Sequence, residues 1–214
     1  MPNRHFLPKL LIIFSLITVL SGCSMLPSNQ TGNVLVAESF DENPGVMQTY
    51  SRDTGNAEVD GGEFAIRTFE QNYLQWALVK LNFTDAVIEV SAHKVAGPDD
   101  NIYGVICRYQ DDLNFYFLAV SSDGYYGIGR MLNGERMLLG SDQLQPTSVV
   151  KGGTSANDLR VTCSNTTLIL EVNGQTLEMV NDQSFSEGQA GLFAGEFTDT
   201  GLEIRFDNLL ITRP

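Results

Sequence analysis

The sequence predicts an all-β fold, an antiparallel β-sandwich or jelly roll, on three observations. From Val34 onward apolar and polar residues alternate with a period of two, and no window of about 11 residues carries a helical stripe. Asp60-Gly61-Gly62, Asp123-Gly124, Asn133-Gly134 and Asn173-Gly174 supply residues that tolerate positive φ, as type I′ hairpin turns require. The runs follow one another without βαβ alternation, so the strands pair through hairpins and stack as two layers.

The order of segments is legible. Residues 1–22 begin with Arg4 and Lys9, continue through an apolar run from Leu10 to Leu20 and end in small residues. That run is too short for a span of about 20 residues and has the form of a secretory leader. Residues 23–33 are small and polar with Pro and Gly, which predicts a tether. Residues 34–214 form one β-sandwich domain with enough chain for a sizeable core. Strands are expected near 34–40, 47–51, 56–60, 63–68, 73–80, 84–93, 101–110, 114–121, 125–131, 135–140, 157–164, 167–173, 176–180, 188–197 and 202–212.

Charge narrows the function. The net charge is −13, and after residue 22 there are 11 basic against 26 acidic side chains, or −15. Such a field repels a phosphate backbone, so nucleic acid is excluded as a partner.

Parity sorts side chains between the two faces of each strand. Leu159, Val161 and Cys163 share a face with Leu168, Leu170 and Val172 on the next strand and are assigned to the core. Tyr103, Val105, Cys107 and Tyr109 share a face opposite Ile102, Ile106 and Arg108. The strand Phe115–Leu118 is apolar on both faces, which predicts a central position. The remaining parity collects Arg108, Arg130, Arg160, Tyr116 and Tyr126 as a candidate ligand face, on which guanidinium forks and aromatic rings grip a polar or anionic ligand. The competing reading pairs each Arg with a cross-strand acid such as Glu171. Trp76, the single indole, is either core or a sugar-stacking platform.

Cys107 and Cys163 form either a disulfide or two buried thiols. A bridge closing a loop of about 56 residues would contribute roughly 4 kcal/mol in the chain-entropy model. No CxxC or Cys/His cluster predicts zinc. His93 reads as a surface residue at a strand end, no GxSxG elbow is present, and no two carboxylates are spaced as a glycosidase pair.

Two resemblances add to this reading. Leu20-Ser21-Gly22-Cys23 resembles the lipobox of bacterial lipoproteins, which implies lipidation of Cys23, a lipid anchor in the membrane as partner, and an extracytoplasmic location at the cell membrane or outer membrane. The succession GVICRYQDDLNFYFLAVSSDGYYGIGR, NDLRVTCSNTTLILEVNG, FSEGQAGLFAGEF and FDNLLI resembles the concanavalin A-like lectin/glucanase superfamily, in particular its laminin-G-like and 3-keto-disaccharide-hydrolase-type domains. The resemblance implies a carbohydrate-binding or adhesive lectin-like domain with a glycan as partner. The ExDxxE-type strand of its glucanases has no match here. It also implies a structural calcium held by Asp207 and Asp41, and no other cofactor is expected. A glycoside-active hydrolase and a structural or protein-binding envelope lipoprotein remain as alternatives.

Overall fold

The computed structural model describes residues 33–41 and 45–214; the leader, Cys23 and the rest of the tether up to residue 32 lie outside them. Among the described residues there is no helix. The strands in chain order are β1 (Val34–Glu38), β2 (Tyr50–Arg52), β3 (Gly55–Asp60), β4 (Glu63–Thr68), β5 (Leu74–Phe83), β6 (Ala86–Ala96), β7 (Asn101–Asp111) and β8 (Asn114–Val120). They continue with β9 (Tyr125–Leu132), β10 (Glu135–Leu139), β11 (Gln145–Pro146), β12 (Asn157–Ser164), β13 (Thr167–Val172), β14 (Gln175–Asn181), β15 (Gly188–Glu196) and β16 (Glu203–Thr212). Every strand pair is antiparallel. One sheet of nine strands runs β14-β13-β12-β6-β16-β4-β3-β2 with β1 beside β16, and a sheet of seven runs β10-β9-β8-β7-β15-β5 with β11 beside β9. The chain is therefore an antiparallel β-sandwich, as its periodicity requires. β11 is an addition: two residues, one of them Pro146, carry no period-two signal.

The turn chemistry is borne out at most positions. Asn133 and Gly134 have φ of 52° and 82°, and Asn173 and Gly174 have 51° and 78°, the doubly positive pattern of a two-residue hairpin. Asp123-Gly124 departs from it. Only Gly124 has positive φ there, its N–H donates to Ser121 O at 3.1 Å, and the Ser121 hydroxyl is bonded to the Asp123 carboxylate.

The main core lies between the sheets. Phe64, Ile66, Ile88 and Phe206 on the nine-stranded sheet meet Val105, Leu118 and Leu192 on the other, all at 1% exposure or less. β8 is buried on both faces: Tyr116 and Leu118 enter this core, whereas Phe115 and Phe117 join a second cluster with Ile102, Ile106 and Phe193. A central strand apolar on both sides needs cover on both, which is why β8 reads as a continuous apolar run. Cys107 on β7 is disulfide-bonded to Cys163 on β12, so the bridge ties one sheet to the other through the core. The segment from Asp182 to Phe185 is fastened between the sheets by Tyr116 Oη, which donates to Asp182 at 2.6 Å, by the Phe185 N–H donating to Tyr116 Oη at 3.1 Å, and by Arg130 donating to Asp182 and Ser184.

This architecture corrects the proposed grouping of arginines and tyrosines. Arg108 and Arg130 stand on the seven-stranded sheet and Arg160 on the nine-stranded one. Tyr116 is the cross-strand partner of both Cys107 and Arg130, so it shares their inward face, and Tyr126 packs against the same core. Tyr116, Tyr126 and Arg130 lie on β8 and β9, which pair in unbroken register, and were assigned to the wrong face although Ile128, on the parity of Tyr126 and Arg130, is core. For Arg108 the alternation failed because the β7–β8 register shifts between Cys107 and Asp111, where Arg108 adopts φ of 53°. Such a bulge reverses the alternation after it.

Candidate functional site

Arg108 is 3% exposed. Its guanidinium donates to Thr84 O at 3.2 Å, Asn165 O at 2.7 Å, Phe185 O at 2.9 Å and Asp85 Oδ1 at 3.1 Å. Those four acceptors make it a clamp inside the protein. Arg130 is paired with Asp182. Arg160 stands across from Glu89 and Glu171 and pairs with both, the ladder that competed with the ligand reading. Asp207 accepts from the N–H and side-chain amide of Asn208 at 2.7 and 2.8 Å, and Asp41 accepts from Ser39 Oγ at 2.8 Å. Among the described residues no group of three or more acids, histidines or cysteines is arranged to hold a metal. His93 faces Glu63 at 3.6 Å on the outer face of the nine-stranded sheet.

Trp76 and Tyr109 are brought together. The bulge that displaced Arg108 carries Tyr109 onto the outer face of the seven-stranded sheet. There Trp76 and Tyr109 each place a ring 5.8 Å from Phe115, which is itself 1% exposed. Phe115 thus forms a fixed floor, and the two amphipathic rings are its partly buried upper layer. They line a hollow of about 370 Å³, within the range of small-ligand pockets.

The walls of this hollow are polar. β5 supplies Gln75, β15 supplies Gln189, and Gln48, Arg52, Tyr73 and Asp112 complete the rim. Tyr109 Oη donates to Asp112. Burial, reinforced by that carboxylate, pushes the Tyr109 hydroxyl well above the ordinary tyrosine range, so it stays protonated. Arg52 lies over the Tyr50 ring at 4.6 Å. Tyr50 Oη donates to Gln75 Oε1 at 2.9 Å, and Gln75 Nε2 donates to Thr54 Oγ1 at 3.0 Å. Burial raises the Tyr50 hydroxyl to about 12, against the opposing charge of Arg52. Gln189 Nε2 donates to Val79 O at 2.9 Å. These bonds hold the walls in place from behind.

A second hollow of about 230 Å³ adjoins the first through Tyr73 and Leu74. Its walls come from β7 (Ile102), β15 (Glu196) and β10 (Arg136), with Phe197 beyond β15. Since β10 and β5 are opposite ends of the strand path, the sheet must curl for Arg136 and Leu74 to line one hollow. Glu196 is 2% exposed, accepts from Thr68 Oγ1 and from Leu202 N at 3.1 Å, and is pushed upward by burial.

A larger hollow of about 650 Å³ lies beside Leu81, Phe83 and Arg213, but its single ring, Phe83, is 9% exposed and belongs to the core. It offers no stacking face. The aromatic hollow combines flat rings with planar amides and a guanidinium, which is the chemistry that holds a polyhydroxylated ring.

Most of that rim escaped the sequence. Gln48, Arg52, Asp112 and Gln189 are isolated polar residues on different segments. Tyr109 was assigned to the core because alternation cannot register a bulge.

No protein-family model matches the chain, and no curated protein matches it. Solved structures do resemble it. The carbohydrate-binding module CBM66 from Bacillus subtilis superposes with a TM-score of 0.64 at 15% identity, covering 78% of this chain and 94% of that one. The Bacillus licheniformis β-glucanase gives 0.62 at 12% identity, covering 86% and 100%. A Bacillus subtilis protein with a galectin-like fold gives 0.61 at 8% identity, covering 84% and 96%. At these identities the likeness establishes the fold alone, a two-sheet antiparallel sandwich of the kind found in these three proteins.

Proposed function

We propose that this domain binds carbohydrate without cleaving it, and that the ligand lies in the Trp76–Tyr109 hollow. The observation that carries this reading is the pairing of two rings over the Phe115 floor with amide and guanidinium groups held from behind. Rings stack on the apolar face of a sugar, and planar donors meet its hydroxyls. The likeness to a carbohydrate-binding module supports the reading, since it places the same sandwich in service of glycans. Lipid on Cys23 anchors the domain to the cell membrane or outer membrane, facing outward; the lipobox at residues 20–23 supports this.

Glycoside hydrolysis is the second reading, favoured by the raised carboxyl of Glu196 beside the aromatic hollow and by the likeness to a glucanase. Both Glu196 oxygens are already engaged by Thr68 and Leu202, which suits a structural carboxyl better than a general acid. A glycan array with the full chain tests binding: retention on at least one glycan class is expected, and folded protein retained by none contradicts the proposal. Release of reducing sugar from a retained glycan would move the assignment to the hydrolase. Cys23→Ala is expected to release the protein from membranes, and continued retention contradicts the anchor.

A further inference from the structure

We infer that the glycan is acidic, an oligosaccharide of uronic acids spanning both hollows, with carboxylates held by Arg52 and Arg136. The inference rests on the carbohydrate reading of the aromatic hollow and adds its ligand class.

Cation usage in this chain points to it. Of the 11 basic side chains after residue 22, Arg67, Lys94, Arg108, Arg130, Arg160 and Arg205 are ion-paired. Acids outnumber bases by more than two to one, so an arginine without a carboxylate partner is the exception. Among the described residues Arg52, Arg136 and Arg213 have no carboxylate partner; Arg213 borders the hollow that offers no stacking face, whereas Arg52 and Arg136 line the two adjoining hollows. The acids nearest them in the lining are committed elsewhere: Asp112 accepts from Tyr109, and Glu196 accepts from Thr68 and Leu202.

Arg52 is also positioned in advance. Its guanidinium rests on the Tyr50 ring at 4.6 Å, and that ring is pinned through Gln75 to Thr54. The ring holds the guanidinium in place without using its N–H groups, and a planar anion can accept from them as a pair. Arg136 reaches its hollow from β10 across the curled sheet. A ligand meeting both arginines must extend past Tyr73 and Leu74, which the two hollows share, so it is an oligomer with more than one carboxylate. The overall charge of −13 opposes an anion at long range, but that field is screened beyond about 8 Å in physiological salt, whereas a fork at contact distance is screened much less.

The experiment titrates the full chain with short oligomers of galacturonic, mannuronic and guluronic acid and with their carboxyl-reduced counterparts, which keep ring and linkage and lose the charge. At least one acid is expected to bind, its reduced form at least about tenfold more weakly, and Arg52→Gln and Arg136→Gln each to weaken the acid by about tenfold and the reduced form by clearly less, so that the preference for the acid shrinks. Binding of the acid is also expected to weaken with added salt. Equal binding of acid and reduced forms, binding of neutral oligomers alone, or binding of neither set overturns the acidic ligand. Neutral binding lost on Trp76→Ala would leave the carbohydrate site standing and remove only its charge.

Discussion

Cys107 of the seven-stranded sheet and Cys163 of the nine-stranded sheet are joined as a disulfide across 56 residues, inside the core shared by both layers. The bridge therefore restrains the one degree of freedom that hairpin bonds leave open, the separation of two sheets. Removing it frees a long loop in the unfolded chain. Replacing both cysteines by alanine is expected to cost roughly 4 kcal/mol, read as a lower urea midpoint with a somewhat steeper slope, because the freed loop lets the unfolded chain expose more surface. Unchanged stability would mean the sheets are held by packing alone.

Arg108 sits one residue beyond that bridge and closes the same end of the sandwich. Arg108→Ala leaves the carbonyls of Thr84, Asn165 and Phe185 without their donor and Asp85 without its cation. A loss of about 3 to 5 kcal/mol is expected in urea unfolding. Arg108→Lys should recover only part of it, because an ammonium lacks the fork. Stability untouched together with lost glycan affinity would return Arg108 to the ligand face.

Asp182 links pH to stability. Burial works to raise its carboxyl, but hydrogen bonds from Ser184 and Tyr116 and the charge of Arg130 outweigh it, so the pKa falls below the ordinary 3.8. A depressed carboxylate contributes stability that is fully present above 3.8 and is lost as the pH falls through the lower folded value. Asp182→Asn is expected to be less stable than the parent by about 1 to 2 kcal/mol at neutral pH. Melting curves of the two should converge below pH 3.8, and a gap that widens on acidification would contradict the assignment.

The sandwich was legible because each hairpin announces itself locally: Asn133-Gly134 and Asn173-Gly174 adopt the conformations their chemistry favours, and Leu168, Leu170 and Val172 face the core as their spacing requires. The site was much less legible. Trp76 was one of two readings, and its partner Tyr109 was placed on the wrong face by the bulge at Arg108, a backbone event with no mark in the hydrophobic pattern. The three arginines assigned by parity to the ligand face proved to be ones the fold uses, in ion pairs at Asp85, Asp182 and Glu89. Arg52 and Arg136, on short edge strands, were overlooked because what distinguishes them is the lack of a partner, which only three dimensions reveal.

The central claim is that Trp76 carries ligand binding, and calorimetric titration of Trp76→Ala against the parent, using the glycan retained most strongly on the array, tests it most directly. Loss of the indole is expected to cost about 2 kcal/mol or more, a rise in Kd of at least about 30-fold, with the sheet signature in circular dichroism preserved. A variant that folds and binds with the parent Kd would contradict the account.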